Sequence, residues 1–438
     1  MIAGMISRRR RLLLAAGLAG TGAAALALTG WRLWPEQGLS NPCLGALPPQ
    51  LAAHPIVRDA IVGLDHHQVW DAHAHLLGVG DHAENAGFND AGFNEHQGTL
   101  YWPLAAVQRH FFLDAACLGN DVNRGKLDAA YVERLRALSG ELPRGQKILL
   151  FALDLWHDPS GQAAPEHTHA WVGNDYCATV ASAWPERFEW VASVHPYRKD
   201  ATAELERVHA LGARAIKWIP AAQGIDPGAQ RCDAFYATLS RLNLPLISHA
   251  GAERAAPGDD ALGNPLQLRR ALGQGVRVVV AHCASMGESR DTDRGANGPW
   301  TGSFTLFERM MDEPRYFGRL FGDISAMTQS ARAGAPLRRV IERAGAPADG
   351  GGSAGEWATR LLNGSDYPLP GIMPLYSPRL LADTGLLDAA DVAPLSALRG
   401  HNPLLFDFVL KRRLRSGGKR LAAAVFETRR FFEPGKPA

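Results

Sequence analysis

Two histidines, His73 and His75, stand two positions apart in residues 70–76, which read Trp-Asp-Ala-His-Ala-His-Leu. On a β-strand, side chains two positions apart point to the same face of the sheet. Two imidazoles on one face can bind a single divalent metal ion. The spacing therefore predicts a metal site and, with it, a metal-dependent enzyme.

Three more residues that can bind metal or move protons follow short apolar runs further along the chain. His249 follows Leu-Pro-Leu-Ile-Ser, His282 follows Val-Val-Val-Ala, and Asp366 follows Leu-Asn-Gly-Ser. A single histidine after an apolar run is more often structural than a ligand. Four histidines and one aspartate at equivalent places argue against coincidence, so we expect these residues to act together.

Eight short apolar runs, separated by segments with helical spacing, indicate the fold. The runs are residues 69–75, 147–154, 188–195, 215–219, 245–249, 277–282, 320–324 and 361–364. Several are apolar at nearly every position, which is typical of parallel strands buried on both faces. Strands alternating with helices predict a (β/α)8 TIM barrel of the α/β class. A doubly wound open sheet is the alternative, although no glycine fingerprint follows the first strand.

In such a barrel the carboxyl ends of the strands meet at one mouth, which is where the five polar residues would gather. Residues 76–146 are far longer than a usual connection between strand and helix. We expect them to form a subdomain or lid over the mouth.

The motifs together resemble the amidohydrolase superfamily and, within it, the amidohydrolase-related family that includes aminocarboxymuconate-semialdehyde decarboxylase and several lactonases. Asp-Ala-His-Ala-His is similar to the family's first-strand metal motif. Gly-Ala-Arg-Ala-Ile-Lys-Trp, Leu-Pro-Leu-Ile-Ser-His-Ala-Gly, Val-Val-Val-Ala-His-Cys and Gly-Ser-Asp-Tyr-Pro are similar to its fourth, fifth, sixth and eighth strands. The resemblance covers residues 69–410, where 402–406 match a closing helix.

This resemblance implies roles for the predicted residues. It implies that His73, His75, His249 and Asp366 hold Zn²⁺ or another divalent metal such as Mn²⁺, which lowers the pKa of bound water. Asp366 would take a proton from that water. His282 would polarise the substrate carbonyl or shuttle a proton.

Lys217, in the fourth-strand segment, leaves the number of ions open. In binuclear members of the family a lysine at this point is carboxylated and bridges two metals, and His249 and His282 could then serve the second ion. Alternatively, Lys217 pairs with a carboxylate or binds substrate. We expect one ion rather than two.

The sequence predicts a hydrolase that acts on a small-molecule lactone, ester or amide. The alternative is a metal-dependent non-oxidative decarboxylase, a lyase of an aromatic or enol carboxylic acid, because the ligand set would be nearly the same. A third interpretation is a barrel that keeps the metal for structure and binds a ligand without turnover. The complete ligand set argues against it.

Other polar residues have no clear assignment. His157, His167 and His169 could line the mouth but are more simply solvated loop residues; His82, Glu84 and Asn85 could reach substrate; Asp323 and His195 could be structural or catalytic.

The N-terminus predicts export. Four arginines at residues 8–11 precede an uncharged run over 12–31 that contains a small-x-small site, the pattern of a signal peptide. Arg10-Arg11 before three leucines also resembles a twin-arginine signal. The alternative is an uncleaved anchor through residues 12–34, since twenty uncharged residues just reach across a bilayer. We expect the protein to be periplasmic or exported, or anchored to the inner membrane.

The charge composition limits the kinds of molecule that the protein is expected to bind. The formal net charge of the 438 residues is +2, and removal of the four N-terminal arginines leaves −2. Such a near-neutral body, with no basic stripe interleaved with aromatic residues, argues against nucleic acid. The expected partners are a small-molecule substrate and the export machinery, and a homodimer is left open.

Five cysteines without a CxxC motif cannot all pair, and most are interpreted as small buried apolar residues. The predicted organisation is a signal or anchor over 1–34, a Pro/Gly-rich tether over 35–65, the barrel over 66–415 and a C-terminal extension over 416–438.

Overall fold

The computed structural model describes residues 36–81, 86–88, 102–118, 126–348 and 351–434. The predicted signal or anchor lies outside these ranges, as do His82, Glu84 and Asn85. Within them, no helix has the length and apolar character needed to span a membrane.

Fourteen strands lie within the described residues. They are β1 (Trp70–His75), β2 (Ala86–Phe88), β3 (Lys147–Phe151), β4 (Ala170–Val172), β5 (Phe188–Val191), β6 (Ile216–Trp218), β7 (Leu246–His249), β8 (Val278–Ala281), β9 (Glu288–Arg290), β10 (Trp300–Gly302), β11 (Leu320–Asp323), β12 (Gly345–Pro347), β13 (Leu361–Leu362) and β14 (Lys419–Leu421).

The α-helices of the same ranges fall between and after these strands. They are α1 (Pro49–Ala52), α2 (Pro55–Ile61), α3 (Trp102–Ala115), α4 (Leu127–Gly140), α5 (Asn174–Ala183), α6 (Ala201–Ala210), α7 (Pro220–Gln223), α8 (Asp233–Leu242), α9 (Arg269–Gly273), α10 (Ser303–Met311), α11 (Ala335–Ala344), α12 (Pro378–Asp383), α13 (Val392–His401), α14 (Pro403–Arg413), α15 (Ala423–Phe426) and α16 (Arg429–Phe432).

Eight of the strands pair in parallel, and each falls within one of the eight predicted runs. The continuous ladders give two sheets, β1-β3-β5 and β6-β7-β8-β11-β13, rather than one closed ring. Isolated parallel bridges lie where the sheets meet, joining Ala192 to Ile216 and Ala74 to Tyr367. The α/β class predicted from the sequence is confirmed.

The buried apolar residues form two clusters, one on the inner face of the strands and one between the strands and the helices. Small and branched side chains fill the inside, among them Ala72, Leu149, Val191, Ile247 and Val279. Residues on the opposite face of the strands pack against the helices in a larger cluster. This alternation follows from the two-residue period of a strand, and it carries position i+2 of each strand to the same inner face.

The C-terminal segment closes the amino ends of the strands, which we call the floor. Phe431 and Phe432 of α16 join the inner apolar cluster, and Phe432 stacks on Trp70 with ring centres 6.2 Å apart. The Thr428 hydroxyl donates to the Trp70 carbonyl oxygen at 2.6 Å. The described part of the extension predicted over 416–438 is therefore packed against the strands.

The segment predicted as a tether is partly folded. Ile56 and Val57 of α2 are buried in the main core. Cys43 forms a disulfide with Cys117, just after α3, and the other three cysteines are free and buried. The long insertion after β1, predicted to form a subdomain or lid, contributes α3 and α4.

Candidate metal centre

The first strand is irregular where it presents His73 and His75. Its pairing with β3 shifts register between Asp71 and Ala74, and such irregularities re-aim side chains. Both imidazoles face Asp366: His75 Nε2 lies 3.1 Å and His73 Nε2 lies 3.4 Å from its Oδ1. The ligand atoms of these three residues all lie within 4.8 Å of one another.

Asp366 is held in place by the loop after β13. Its φ of 61° is left-handed, a region that aspartate adopts more readily than most residues. Its amide donates to the His73 carbonyl oxygen at 2.7 Å. The Ser365 amide donates to Asp71 Oδ1 at 2.8 Å. Gly364 passes so near that a Cβ there would lie 2.5 Å from the His73 Cβ, so this position requires glycine.

The proton position on His73 follows from its partner. Nδ1 lies 2.9 Å from Oδ2 of Asp323, and because a carboxylate only accepts, Nδ1 donates and Nε2 carries a lone pair. Burial, followed by the nearby charge of Lys217, lowers the pKa of His73 from 6.5 to about 4. At neutral pH the Nε2 lone pair therefore faces an oxygen of Asp366, an arrangement that a cation would stabilise.

His282 presents a second lone pair to the same carboxylate. Its Nδ1 lies 2.9 Å from the Ser325 carbonyl oxygen and must donate to it. Its Nε2 lies 3.9 Å from Asp366 Oδ2. Burial lowers the pKa of His282 well below its usual value. A neutral His282 can accept a proton at Nε2 but cannot donate one there, which favours the shuttle over the polarising role.

His249 lies beside this group rather than within it. It follows Ile247 by two positions and so faces the interior. Its ring centre is 5.3 Å from that of His282, and its Nε2 lies 3.4 Å from Oε2 of Glu253. Its Nδ1 is buried and has no hydrogen-bond partner among the described residues.

Lys217 also reaches the group from the interior face of β6. Its Nζ lies 3.3 Å from His73 Nε2 and 5.1 Å from the centre of the Phe151 ring. Burial lowers the pKa of the amine. The side chain is therefore adjacent to the candidate ligands, where both a bridging and a substrate-binding role are within reach.

The donor set fits a divalent metal ion. Burial opposes ionisation of Asp366, but the neighbouring imidazoles of His282, His73 and His75 hold its pKa well below the usual value, so the group is a carboxylate. Two imidazole nitrogens direct lone pairs toward that carboxylate, and His249 adds a buried nitrogen without a partner. Nitrogen and carboxylate oxygen are the ligands of Zn²⁺ and Mn²⁺ sites.

The remaining histidines predicted near the mouth have other surroundings. His195 is buried and donates from Nε2 to the Gln223 carbonyl oxygen at 2.9 Å. His157 is buried against it, with ring centres 4.9 Å apart, rather than solvated. His167 and His169 line a cavity of about 270 Å³.

Two residues close to the centre were not singled out from the sequence. Ser325 Oγ donates to Asp323 and lies 3.0 Å from Nδ1 of His73 and 2.8 Å from Nδ1 of His282. Glu253 contacts His249. Asp323, left open between structural and catalytic roles, orients His73 and also accepts a hydrogen bond from the His282 amide at 3.0 Å. In the sequence, the only feature that could have identified either residue is that Ser325 stands two positions after Asp323.

The family follows from a comparison with protein-family models. The amidohydrolase model matches residues 70–393, which span all eight parallel strands. The chain belongs to the amidohydrolase family. It is therefore an enzyme of the amidohydrolase superfamily, which is metal-dependent, and the resemblance seen in the sequence is confirmed. No curated protein matched this amidohydrolase.

The solved structures similar to this amidohydrolase include proteins named as hydrolases and proteins named as decarboxylases. A TIM-barrel protein of Bordetella bronchiseptica is 17% identical over 78% of this chain and 99% of its own, with a TM-score of 0.42. The 5-carboxyvanillate decarboxylase LigW of Sphingomonas paucimobilis is 14% identical over 76% and 98%, with a TM-score of 0.41. A Pseudomonas putida protein named as a candidate 2-pyrone-4,6-dicarboxylic acid hydrolase is 16% identical over 84% and 98%, with a TM-score of 0.39. Likenesses this distant assign no substrate.

Proposed function

We propose that this amidohydrolase is a metal-dependent hydrolase that adds water to a small-molecule lactone, ester or amide. The observation that carries the proposal is the convergence of two lone pairs, on Nε2 of His73 and Nε2 of His282, toward the carboxylate of Asp366. Acceptors facing one another in a buried site are stabilised by a cation between them.

His73, His75 and Asp366, together with His249, would hold one Zn²⁺ or Mn²⁺ ion. Such an ion, when bound, lowers the pKa of water and polarises a carbonyl oxygen. Asp323 keeps the proton of His73 on Nδ1 and so keeps Nε2 free.

The protein's own groups would move the proton released from the attacking water. Asp366 Oδ2 accepts it first, and because the pKa of Asp366 is held low, it releases the proton readily. His282 Nε2, 3.9 Å away, is the next acceptor. Protonated His282 then donates to the leaving oxygen or nitrogen.

We further propose that the eight parallel strands form one closed (β/α)8 barrel. The bridges of Ala192 with Ile216 and of Ala74 with Tyr367 support closure at both seams. Closure would bring β1, β6, β7, β8, β11 and β13 around one mouth, which agrees with the convergence of their side chains.

Metal analysis followed by a substrate screen tests the function. The purified full chain should contain about one divalent ion and release an acid, without CO2, from a lactone, ester or amide, and a chelator should abolish turnover. Release of CO2 from an aromatic or enol carboxylic acid would establish the decarboxylase instead. Turnover that survives metal removal would contradict both.

The number of ions is tested at Lys217. If the residue only contacts substrate or pairs with a charge, Lys217→Ala keeps the wild-type metal content. If it is a carboxylated bridge, the content falls from about two ions per chain to about one. A single ion in both proteins supports the one-metal proposal.

We also propose that the protein is exported. The disulfide between Cys43 and Cys117 supports this proposal, because disulfides persist in oxidising compartments. A reporter fused to residues 1–40 should reach the periplasm, and replacement of Arg10 and Arg11 by Lys should block a twin-arginine route. Unchanged export would indicate the general secretory route, and a chain retained in membranes from Met1 would indicate an anchor.

A further inference from the structure

A buried arginine near the metal centre forms no salt bridge among the described residues. Arg332 lies in the loop after β11 and is only 8% exposed. Its guanidinium has five N–H donors, yet among the described residues it makes one hydrogen bond, 3.3 Å long, to the Ser285 hydroxyl. Its Nε is buried without a partner. A buried cation is costly unless it is paired.

The other buried arginines show how the fold satisfies this group when its role is structural. Arg399 is fully buried, and its nitrogens donate to four backbone carbonyl oxygens at 2.6–3.2 Å. Arg360 donates to the carbonyl oxygens of Leu320 and Met311 at 3.2 and 2.7 Å. Arg332 has no such set, which points to a partner that arrives from outside.

Arg332 faces the reaction centre. Its charge interacts with those of Asp366 and Glu253 at the centre. Its one hydrogen-bond partner, Ser285, follows directly after the turn that begins at His282. The Ser330 amide donates to the Leu375 carbonyl oxygen at 2.8 Å, so the Arg332 loop lies against the segment that contains Tyr376.

Tyr376 adds a second donor. Its side chain is buried, and its hydroxyl interacts with the Gln329 side chain. It interacts electrostatically with both Arg332 and Asp366. A phenol donates readily to an anion, so Tyr376 can complement the guanidinium.

The formal charge of the centre also favours an anion. Asp323, Asp366 and Glu253 contribute −3, and Lys217 and Arg332 contribute +2. A divalent ion changes the total from −1 to +1, with the histidines neutral. The loaded site is therefore left with one positive charge for a substrate to balance.

We infer that Arg332, assisted by the Tyr376 hydroxyl, binds a carboxylate of the substrate beside the metal centre. The planar guanidinium fork matches a carboxylate with two parallel hydrogen bonds. This inference rests on the proposed function and narrows its substrates to small molecules that bear a carboxylate. The bound group is either a spectator next to the hydrolysed bond or the group that a decarboxylase removes.

Benzoate and its neutral isostere benzamide are suitable probes. Calorimetry on the metal-loaded full chain should show benzoate bound at least tenfold more tightly than benzamide. Arg332→Gln should weaken benzoate at least tenfold and leave benzamide unchanged, with wild-type metal content. Arg332→Lys, which keeps the charge but loses the fork, should fall between. Arg254→Gln is the matched control, since it removes a positive charge that is 69% exposed from the loop after β7, and should change neither probe.

Equal affinity of the wild type for benzoate and benzamide would overturn the inference. So would an affinity for benzoate that Arg332→Gln leaves unchanged, or one that Arg254→Gln reduces as much as Arg332→Gln does. Its failure is distinguishable from failure of the proposed function. If the wild type takes up no divalent metal, the proposed function fails, whereas a metal-loaded and active wild type that binds benzoate and benzamide equally overturns the inference alone.

Discussion

Charged side chains are paired differently at the floor and at the mouth of the parallel strands. At the floor, Glu189 pairs with Lys147 at 2.6 Å and with Arg214 at 2.8 Å, and both cations lie over the ring of Trp70. At the mouth, the lone pairs of His73 and His282 face a carboxylate. The charges at the floor are paired with one another within the protein, whereas the lone pairs and the carboxylate at the mouth form the arrangement that the proposed metal ion would stabilise.

The largest effect is expected from removing the carboxylate at the mouth. Asp366→Asn takes away a ligand and the first proton acceptor, so metal content should fall well below one ion per chain and activity by at least about 10³-fold. Glu189→Gln is the matched control at the floor, where a paired carboxylate becomes an amide. It should keep metal and activity, and equal metal loss in both variants would contradict the contrast between the two ends.

A smaller effect is expected at His282. His282→Asn should retain the metal, because the three histidine ligands and Asp366 remain, while activity falls by about 10²–10⁴-fold, the usual contribution of a positioned acid–base group. Elemental analysis and turnover on the same preparation separate these outcomes. Loss of an ion would indicate the two-metal model, and full activity would mean that His282 is structural.

A lower pH should reduce the free energy of unfolding through protonation of His73. Its pKa is about 4 in the fold, because it is buried, against 6.5 when unfolded. As the pH falls, His73 is protonated in the unfolded chain before it is protonated in the folded one. The free energy of unfolding therefore decreases as the pH falls from about 6.5 to about 4. One pKa unit corresponds to about 1.4 kcal/mol, so the metal-free wild type should lose about 3 kcal/mol relative to the non-titrating variant His73→Asn. A difference in unfolding free energy that stays constant between pH 7 and pH 4 would contradict the shift.

At the floor, Phe432→Ala should affect stability alone. The side chain is buried between Trp70 and Phe431, and its loss should lower the free energy of unfolding by about 3 kcal/mol. Leu211→Ala, at a position 51% exposed, should change it by less than about 0.5 kcal/mol. Metal content should be the same in both, and a selective loss in Phe432→Ala would mean that the two ends are coupled.

The strands and part of the candidate metal centre could be predicted from the sequence. All eight strands were predicted, because buried parallel strands leave continuous apolar runs. His73, His75 and Asp366 were predicted from spacing and strand ends. The register shift in β1 could not be predicted, since it depends on pairing with β3.

Residues that act through long-range contacts were also beyond the sequence. Asp323 and Ser325 meet His73 across some 250 positions, and no local pattern shows that Arg332 is buried. The contacts of Phe431 and Phe432 at the floor could not be predicted for a similar reason, because they form only where the C-terminal segment returns to β1.

The most direct test of the account is the position of the metal in the full chain. Crystals grown with Zn²⁺ or Mn²⁺ and measured at the absorption edge of that metal should show one anomalous peak at the mouth. Nε2 of His73, Nε2 of His75 and a carboxylate oxygen of Asp366 should lie about 2.0–2.2 Å from the ion. A peak elsewhere, or none at the mouth at saturating metal, would contradict it.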